Sequence, residues 1–378
     1  MSIANPVWGT GVFLMGGVAA ATYLLPFRGV RGWAYETGWL VCVLAGWLVF
    51  PLVFDAFVVP GFWSVLASAS AVTLVRSFGF GVLWGVGALC WALMVRYLGI
   101  GLGLGIGAGL CAATGTLLPP ICTGHAADLI ATPSARMVLC GVGIALLGIV
   151  AVGLAGRFKE GEMSEAAKKK AVAEFDFKKG LVTALIAGVA SAGINFGLQG
   201  APELERAALE AGCSPTWAGM PVLTVVLWGG VLTQLVWSMR KWMGGMVEGW
   251  KGGKVEGWKG GKVEGWKGAK VNHSTIPPFH YSTIPLFHRT TLVNVVLSVA
   301  VGVIGVMQFV LQKAGEPLMG DFRYISFAVL MSSAVFFSAI LGIVLGEWKG
   351  TSAKTKMLLG SGICILATGF GVMAIGGK

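Results

Sequence analysis

Two carboxylates are the side chains of this sequence best placed to bind a proton within a membrane. Asp55 lies late in an apolar run, LVFDAFVVP, and Glu36 stands at the start of the same run as Tyr35-Glu36-Thr37. An ionisable side chain at membrane depth costs about 2.5–3.5 kcal/mol on insertion scales, which makes each a functional candidate. Both also have plainer readings. Asp55 reads as an interfacial carboxylate, and Glu36 as a helix cap or a partner of Arg28 or Arg31. As proton-coupling groups Asp55 ranks first and Glu36 second. Neutral polar side chains form a second set. Asn195 and Gln199 lie one turn apart, Asn294 and Gln308 recur along a later run, and Thr114 lies in a glycine-rich one. Amides and hydroxyls donate and accept hydrogen bonds, as sugar hydroxyls require. Trp84 and Trp91 suit stacking on a sugar face, or simply packing. Together these residues are expected to line a polar pathway.

Enzyme chemistry is not indicated. No HExxH or GxSxG motif occurs, and no histidine lies inside an expected helix. The seven cysteines stand singly without a CxxC, so neither a zinc site nor a disulfide framework is suggested. Gly101-x-Gly103 resembles a phosphate loop, but a phosphate loop needs a strand before it and a polar helix start after it. Both flanks here are apolar. On a helix, Gly101, Gly105 and Gly109 share a face at i, i+4 spacing, and small residues so placed let helices approach closely in lipid. They are read as packing or gating positions. No metal site and no cofactor is expected.

The elements that must hold these residues are membrane helices. Hydrophobic residues make up 56% of the 378 and charged ones 12%, and the mean hydropathy is +0.79. Apolar runs long enough to cross about 30 Å of hydrocarbon recur throughout. The expected fold class is an all-α integral membrane protein with ten transmembrane helices, near 7–26, 38–59, 77–95, 98–119, 137–156, 180–199, 217–238, 292–312, 324–346 and 357–376. Ten helices divide into two sets of five, and an odd number per set inverts one set against the other. The first half is then 1–156, a basic cytoplasmic linker follows at 157–179, and the second half is 180–378. If the N-terminus lies outside, all but six of the 28 Lys and Arg fall in inside loops. The six are Arg76, Arg136, Arg206, Lys313, Arg323 and Lys378. Both termini are therefore expected to be periplasmic. The net charge of +11 is a topology signal, and no nucleic-acid partner is expected.

One loop is unlike the rest. Residues 245–270 repeat an eight-residue unit, MVEGWKGG, KVEGWKGG and KVEGWKGA, and His273, His280 and His288 follow. Read on the opposite DNA strand, V-E-G-W-x-G-G becomes S-T-x-P-P-F-H, the pattern of Ser274–His280. The stretch 244–288 is read as an inverted DNA repeat inserted into a tolerant loop. Its histidines are not read as a metal site.

A family resemblance rests on residues spread along the chain. They include Pro26-Phe27-Arg28, Glu36-Thr37, Trp84-Gly85-x-Gly87, Arg96-Tyr97-Leu98-Gly99, Ser191-Ala192-Gly193, Asn294-Val295, Tyr324-Ile325-Ser326 and Glu347-Trp348. In this order they resemble the bacterial L-rhamnose–proton symporter family of the drug/metabolite transporter superfamily, along nearly the whole chain apart from 244–288. The resemblance implies ten spanning helices and proton-driven uptake of L-rhamnose or a related deoxysugar across a bacterial inner membrane. The expected partners are the sugar, protons and the lipid bilayer. A metabolite or drug exporter of the same superfamily is the alternative, and a membrane sugar sensor that binds without transporting is a third reading.

Overall fold

A computed structural model describes residues 5–33, 35–162, 177–252 and 289–377. Among these residues every regular element is helical and none is a strand. This follows from the medium: in hydrocarbon a helix satisfies its own backbone polar groups, and an open strand does not. Eight helical stretches are long and apolar enough to cross a membrane. The protein is thus an all-helical, multi-pass membrane protein.

The helices in chain order are α1 (Pro6–Thr22), α2 (Tyr35–Val43), α3 (Phe50–Val58), α4 (Phe62–Ser68), α5 (Ala71–Cys122), α6 (Asp128–Ala131), α7 (Pro133–Glu162), α8 (Phe177–Ser191), α9 (Gly193–Gln199), α10 (Pro202–Glu210), α11 (Met220–Gly252), α12 (Arg289–Gly315), α13 (Ser326–Val344) and α14 (Ala353–Gly376). A π-helical turn, Leu44–Val49, joins α2 to α3. A 3-10 segment, Glu316–Ile325, joins α12 to α13 around Gly320, whose φ of 55° suits glycine. Local chemistry sets several starts. Asn5 accepts a hydrogen bond from Trp8 N–H ahead of Pro6. Ser70 and Ser352 cap α5 and α14 by accepting from Thr73 and Thr355 N–H. Such caps satisfy backbone donors that a helix start leaves open.

Although α5 is 52 residues of continuous helix, it does not run straight. A Cβ on Gly107 would lie 2.7 Å from Met94 Sδ and 3.1 Å from Trp91. Thirteen residues of straight helix span roughly 20 Å, so the chain must double back between Met94 and Gly103. The basic residue Arg96 falls in that bend.

Glycine sets the close helix crossings. Gly81 and Gly85 of α5 meet Val226, Gly229, Gly230 and Thr233 of α11. Gly46 meets Gly302 of α12, backbone to backbone. Gly141 and Gly148 of α7 meet Met373 and Leu366 of α14, while Gly362 meets Val152. One member of this last pair rises in number as the other falls, so α7 and α14 run antiparallel.

Polar contacts gather at two ends. At one, Arg28 pairs with Glu347, which also takes Lys159 at 3.9 Å. Arg31 is clasped by Asn294, and Glu162 bonds to Ser352. At the other, Asn5 N–H bonds to Leu318 O, Arg76 to Gly200 O, and Ser70 to Glu203. The stretch 244–288 and the linker 157–179 fall largely outside the described residues. Within them, α7 continues to Glu162, α8 starts at Phe177 and α11 reaches Gly252.

Candidate functional site

Asp55 sits in the last turn of α3 and is 1% exposed. Its Oδ2 accepts a 2.6 Å hydrogen bond from Thr224 Oγ1 of α11. A carboxylate so deeply placed needs donors, and among the described residues Thr224 is the side chain that supplies one. Glu36 lies in the first turn of α2. Nineteen residues of helix, roughly 28 Å, separate it from Asp55, so the two carboxylates occupy opposite ends of one span.

The tryptophans build a wall. Trp39, Trp47, Trp84 and Phe309 follow one another with ring centroids 6.2, 4.4 and 5.5 Å apart. Trp84 is 7% exposed and backs onto Gly230. Trp39 Nε1 donates to Gln234 Oε1, and Gln234 Nε2 donates to Gly85 O. Trp91 stands apart, donating through Nε1 to Ser191 Oγ at 2.7 Å.

The amides divide by what they bond. Asn294 grips the backbone of Arg31 through both amide atoms. Gln308 Nε2 bonds to Gly305 O on its own helix, and Thr114 Oγ1 to Leu110 O. Gln199 Nε2 is buried without a partner among the described residues. Asn195 is different. It is fully buried, its Nδ2 donates to Gly115 O, and its Oδ1 accepts from Gln312 Nε2 at 3.0 Å. Of the glycines, Gly109 has ordinary room beside Ile149, whereas Gly107 and Gly115 press against Met94 and Phe327. Gly101 and Gly105 lie within the helical backbone of α5; their surroundings fall outside the described residues.

The charged cluster at the second end does not emerge from reading the sequence. Lys313, counted there as an outer cation, is buried. Its Nζ donates to Glu205 Oε1 at 2.5 Å and Glu316 Oε2 at 2.6 Å. Arg323 donates to the other oxygen of Glu205 at 3.2 Å. Glu316 Oε1 accepts from Ser326 Oγ, and Ser326 Oγ accepts from Gln312 Nε2. The cluster is thereby continuous with Asn195. One local signal existed, the i, i+3 spacing of Lys313 and Glu316; nothing local pointed to Glu205.

This arrangement holds buried carboxylates and amides within an apolar helical bundle, which suits moving a small polar solute and a cation. The family model described as L-rhamnose-proton symport protein (RhaT) matches residues 3–243. The chain belongs to the L-rhamnose-proton symport protein family. Among its relatives, an L-rhamnose-proton symporter of Cronobacter sakazakii is 32% identical over 96% of this chain and 95% of its own length. One of Escherichia coli is 31% identical over 97% of both chains, and one of Shigella flexneri matches to the same extent. Members of this family are transporters rather than enzymes. The family-model match ends at 243, just before the repetitive stretch begins.

Proposed function

We propose that this protein imports L-rhamnose or a related sugar together with protons, by alternating access, in the cytoplasmic membrane of a bacterium. The observation that carries this reading is similarity to L-rhamnose-proton symporters along 96–97% of the chain. A buried carboxylate and a buried amide network within the bundle are what such a transporter needs. Asp55 is the first candidate to load the proton and Glu36 the second. Asn195, Gln199, Asn294, Gln308, Trp84, Trp91 and Thr114 are the candidates to meet the sugar. Gly101, Gly105 and Gly109 are candidates for helix packing or gating.

The architecture proposed is ten spans in two inverted halves, 1–156 and 180–378, joined by a cytoplasmic linker at 157–179. The eight candidate spans leave out the shorter apolar helix Ile106–Cys122 and treat Arg289–Val344 as one stretch. Separating α12 from α13 at Gly320 and adding 106–122 makes ten. The helix contacts support the two halves. Renumbering each span by five turns the contact of spans three and seven (Gly81 with Val226) into that of eight and two (Gly302 with Gly46). It turns four and six (Gly188 with Leu110) into nine and one (Gly17 with Ser333). Spans five and ten (Gly141 with Met373) map onto each other. The charge distribution favours the Arg28–Glu347 end as cytoplasmic, with both termini periplasmic.

The test is uptake of labelled L-rhamnose by the purified protein in proteoliposomes. An acid-outside pH gradient is expected to drive accumulation, and a protonophore to abolish it. Accumulation indifferent to the gradient, or no carriage of L-rhamnose, would remove the proposal.

A further inference from the structure

We propose that Glu316 is a further proton-coupling residue, wired through Ser326 and Gln312 so that its protonation changes what Ser326 offers to a sugar hydroxyl. The inference rests on the transport reading above and adds a mechanism to it.

The wiring has a direction. Gly115 O can only accept, so Asn195 must turn its Nδ2 toward it and its Oδ1 toward Gln312. Gln312 must then present Nε2 to both Asn195 Oδ1 and Ser326 Oγ. Ser326 Oγ, accepting from Gln312, spends its own hydrogen on Glu316 Oε1 at 3.2 Å. From Gln312 the donors run two ways, through Asn195 to Gly115 O and through Ser326 to the carboxylate. The pattern closes while Glu316 Oε1 is an acceptor, and a proton has its place there because Oε2 faces the Lys313 ammonium, which accepts nothing.

Charge balance selects Glu316 over its neighbour. Among the described residues Glu205 pairs with two cations, Lys313 and Arg323, whereas Glu316 Oε2 pairs with Lys313 alone. Neutralising Glu316 leaves Lys313 paired with Glu205. Neutralising Glu205 instead takes from Arg323 its ion-pair partner. The charged groups acting on Glu316 are Lys313 from α12, Glu205 from α10 and Arg323 from its own segment. The packed helices α1 and α13 carry no charged residue. Arg76 of α5 and Arg136 of α7 bond to Gly200 O and Thr132 O instead. A cavity of about 250 Å³, lined by Glu205, Arg206, Pro215, Lys313, Pro317 and Arg323, opens beside the ion cluster and reaches Lys313, the direct partner of Glu316.

A proton bound on Glu316 Oε1 forms an O–H that donates to Ser326 Oγ, while Oε2 keeps its bond from Lys313. Ser326 Oγ then accepts from both Glu316 and Gln312, and its own hydrogen is released. Beside it, Gln312 Oε1 is a buried acceptor with no partner among the described residues, on a side chain that is fully buried. The protonated site thus offers one free donor and one free acceptor. A sugar hydroxyl both accepts and donates, and neighbouring hydroxyls can use the two positions together. The ionised site offers the acceptor alone. Proton and sugar therefore strengthen each other's binding, by the same factor in both directions.

The experiment measures L-rhamnose affinity of the full-length purified protein in detergent at about pH 6 and about pH 8.5, with proton uptake on sugar addition followed by an indicator dye. Wild type is expected to bind about tenfold more weakly at the higher pH, within the usual range of coupling, and to take up protons as sugar is added. In Glu316→Gln the amide donates permanently to Ser326, so affinity at the higher pH rises toward the low-pH value and proton uptake falls, leaving the share that Asp55 carries. Ser326→Ala leaves the ion cluster intact and is expected to lose the share of the pH dependence that Glu316 carries, with affinity at the lower pH falling toward the high-pH level. If Glu316→Gln, or a folded Ser326→Ala, keeps the wild-type pH dependence, the wiring is wrong and the transport reading stands. If wild type binds no L-rhamnose, the transport reading falls and this inference falls with it.

Discussion

At the scale of single residues, burial separates ionic contacts that look alike on paper. Lys313 and Glu316 have side chains 2% and 4% exposed, whereas Arg28 and Glu347 are 63% and 47% exposed. Removing one partner from a buried pair strands the other charge and costs about 3–5 kcal/mol. An exposed pair contributes about 0–1 kcal/mol. Lys313→Met is therefore expected to lower the thermal midpoint in detergent sharply, and Arg28→Ala to leave it nearly unchanged. Asp55 makes a different prediction. Its one described side-chain partner is Thr224, so Asp55→Asn keeps a hydrogen bond and removes a titrating group. Loss of gradient-driven accumulation in Asp55→Asn, with counterflow of L-rhamnose continuing, is the expected result. Unchanged accumulation would release Asp55 from the mechanism. Asp55 was legible in the sequence because a carboxylate in an apolar run is conspicuous. The Lys313–Glu205 contact was not, since 108 residues separate the two.

At the scale of elements, the glycines decide how near two helices come. A Cβ on Gly302 would fall 2.3 Å from Cys42 O and one on Gly46 2.4 Å from Gly302 O, closer than any side chain can sit. Gly302→Leu is expected to abolish folded yield on size-exclusion chromatography. Gly79, with nothing within 4 Å, should accept alanine without loss. In α5 the spacing Gly101, Gly105, Gly109 marks a small-residue face, and a second face carries Gly103 and Gly107. Periodicity reveals that both faces are thin, but not which one meets a neighbour. The structure sets Met94 and Trp91 against Gly103 and Gly107 because the helix folds back on itself there. The position of that turn was legible from Arg96, a cation interrupting two apolar runs.

At the scale of the whole molecule, the alternating placement of loops at two ends gives a labelling prediction. Cysteines introduced at Arg28 and at Arg206 are expected to react with an impermeant maleimide from opposite sides of the membrane. Arg206 should react in intact spheroplasts, and Arg28 only after permeabilisation; the reverse pattern would overturn the proposed orientation. The repetitive stretch makes a second prediction. It follows the end of the family-model match at residue 243, so deleting 253–288 should leave L-rhamnose uptake within about twofold of wild type. The gene should also carry reverse-complementary tracts there.

The sequence by itself determined that this is a helical membrane protein of the L-rhamnose-proton symport family, roughly where its helices lie, and that Asp55 is unusual. These properties depend on how each stretch of chain partitions between lipid and water, and on motifs carried in order along it, so they are written locally. Only the tertiary structure decided that Asn195, Gln312, Ser326, Glu316, Lys313 and Glu205 form one connected network. Hydrogen bonds and ion pairs need side chains within a few ångström of each other. The fold brings these residues together from α9, α10, α12, α13 and the segment after α12, a proximity that no spacing along the chain records.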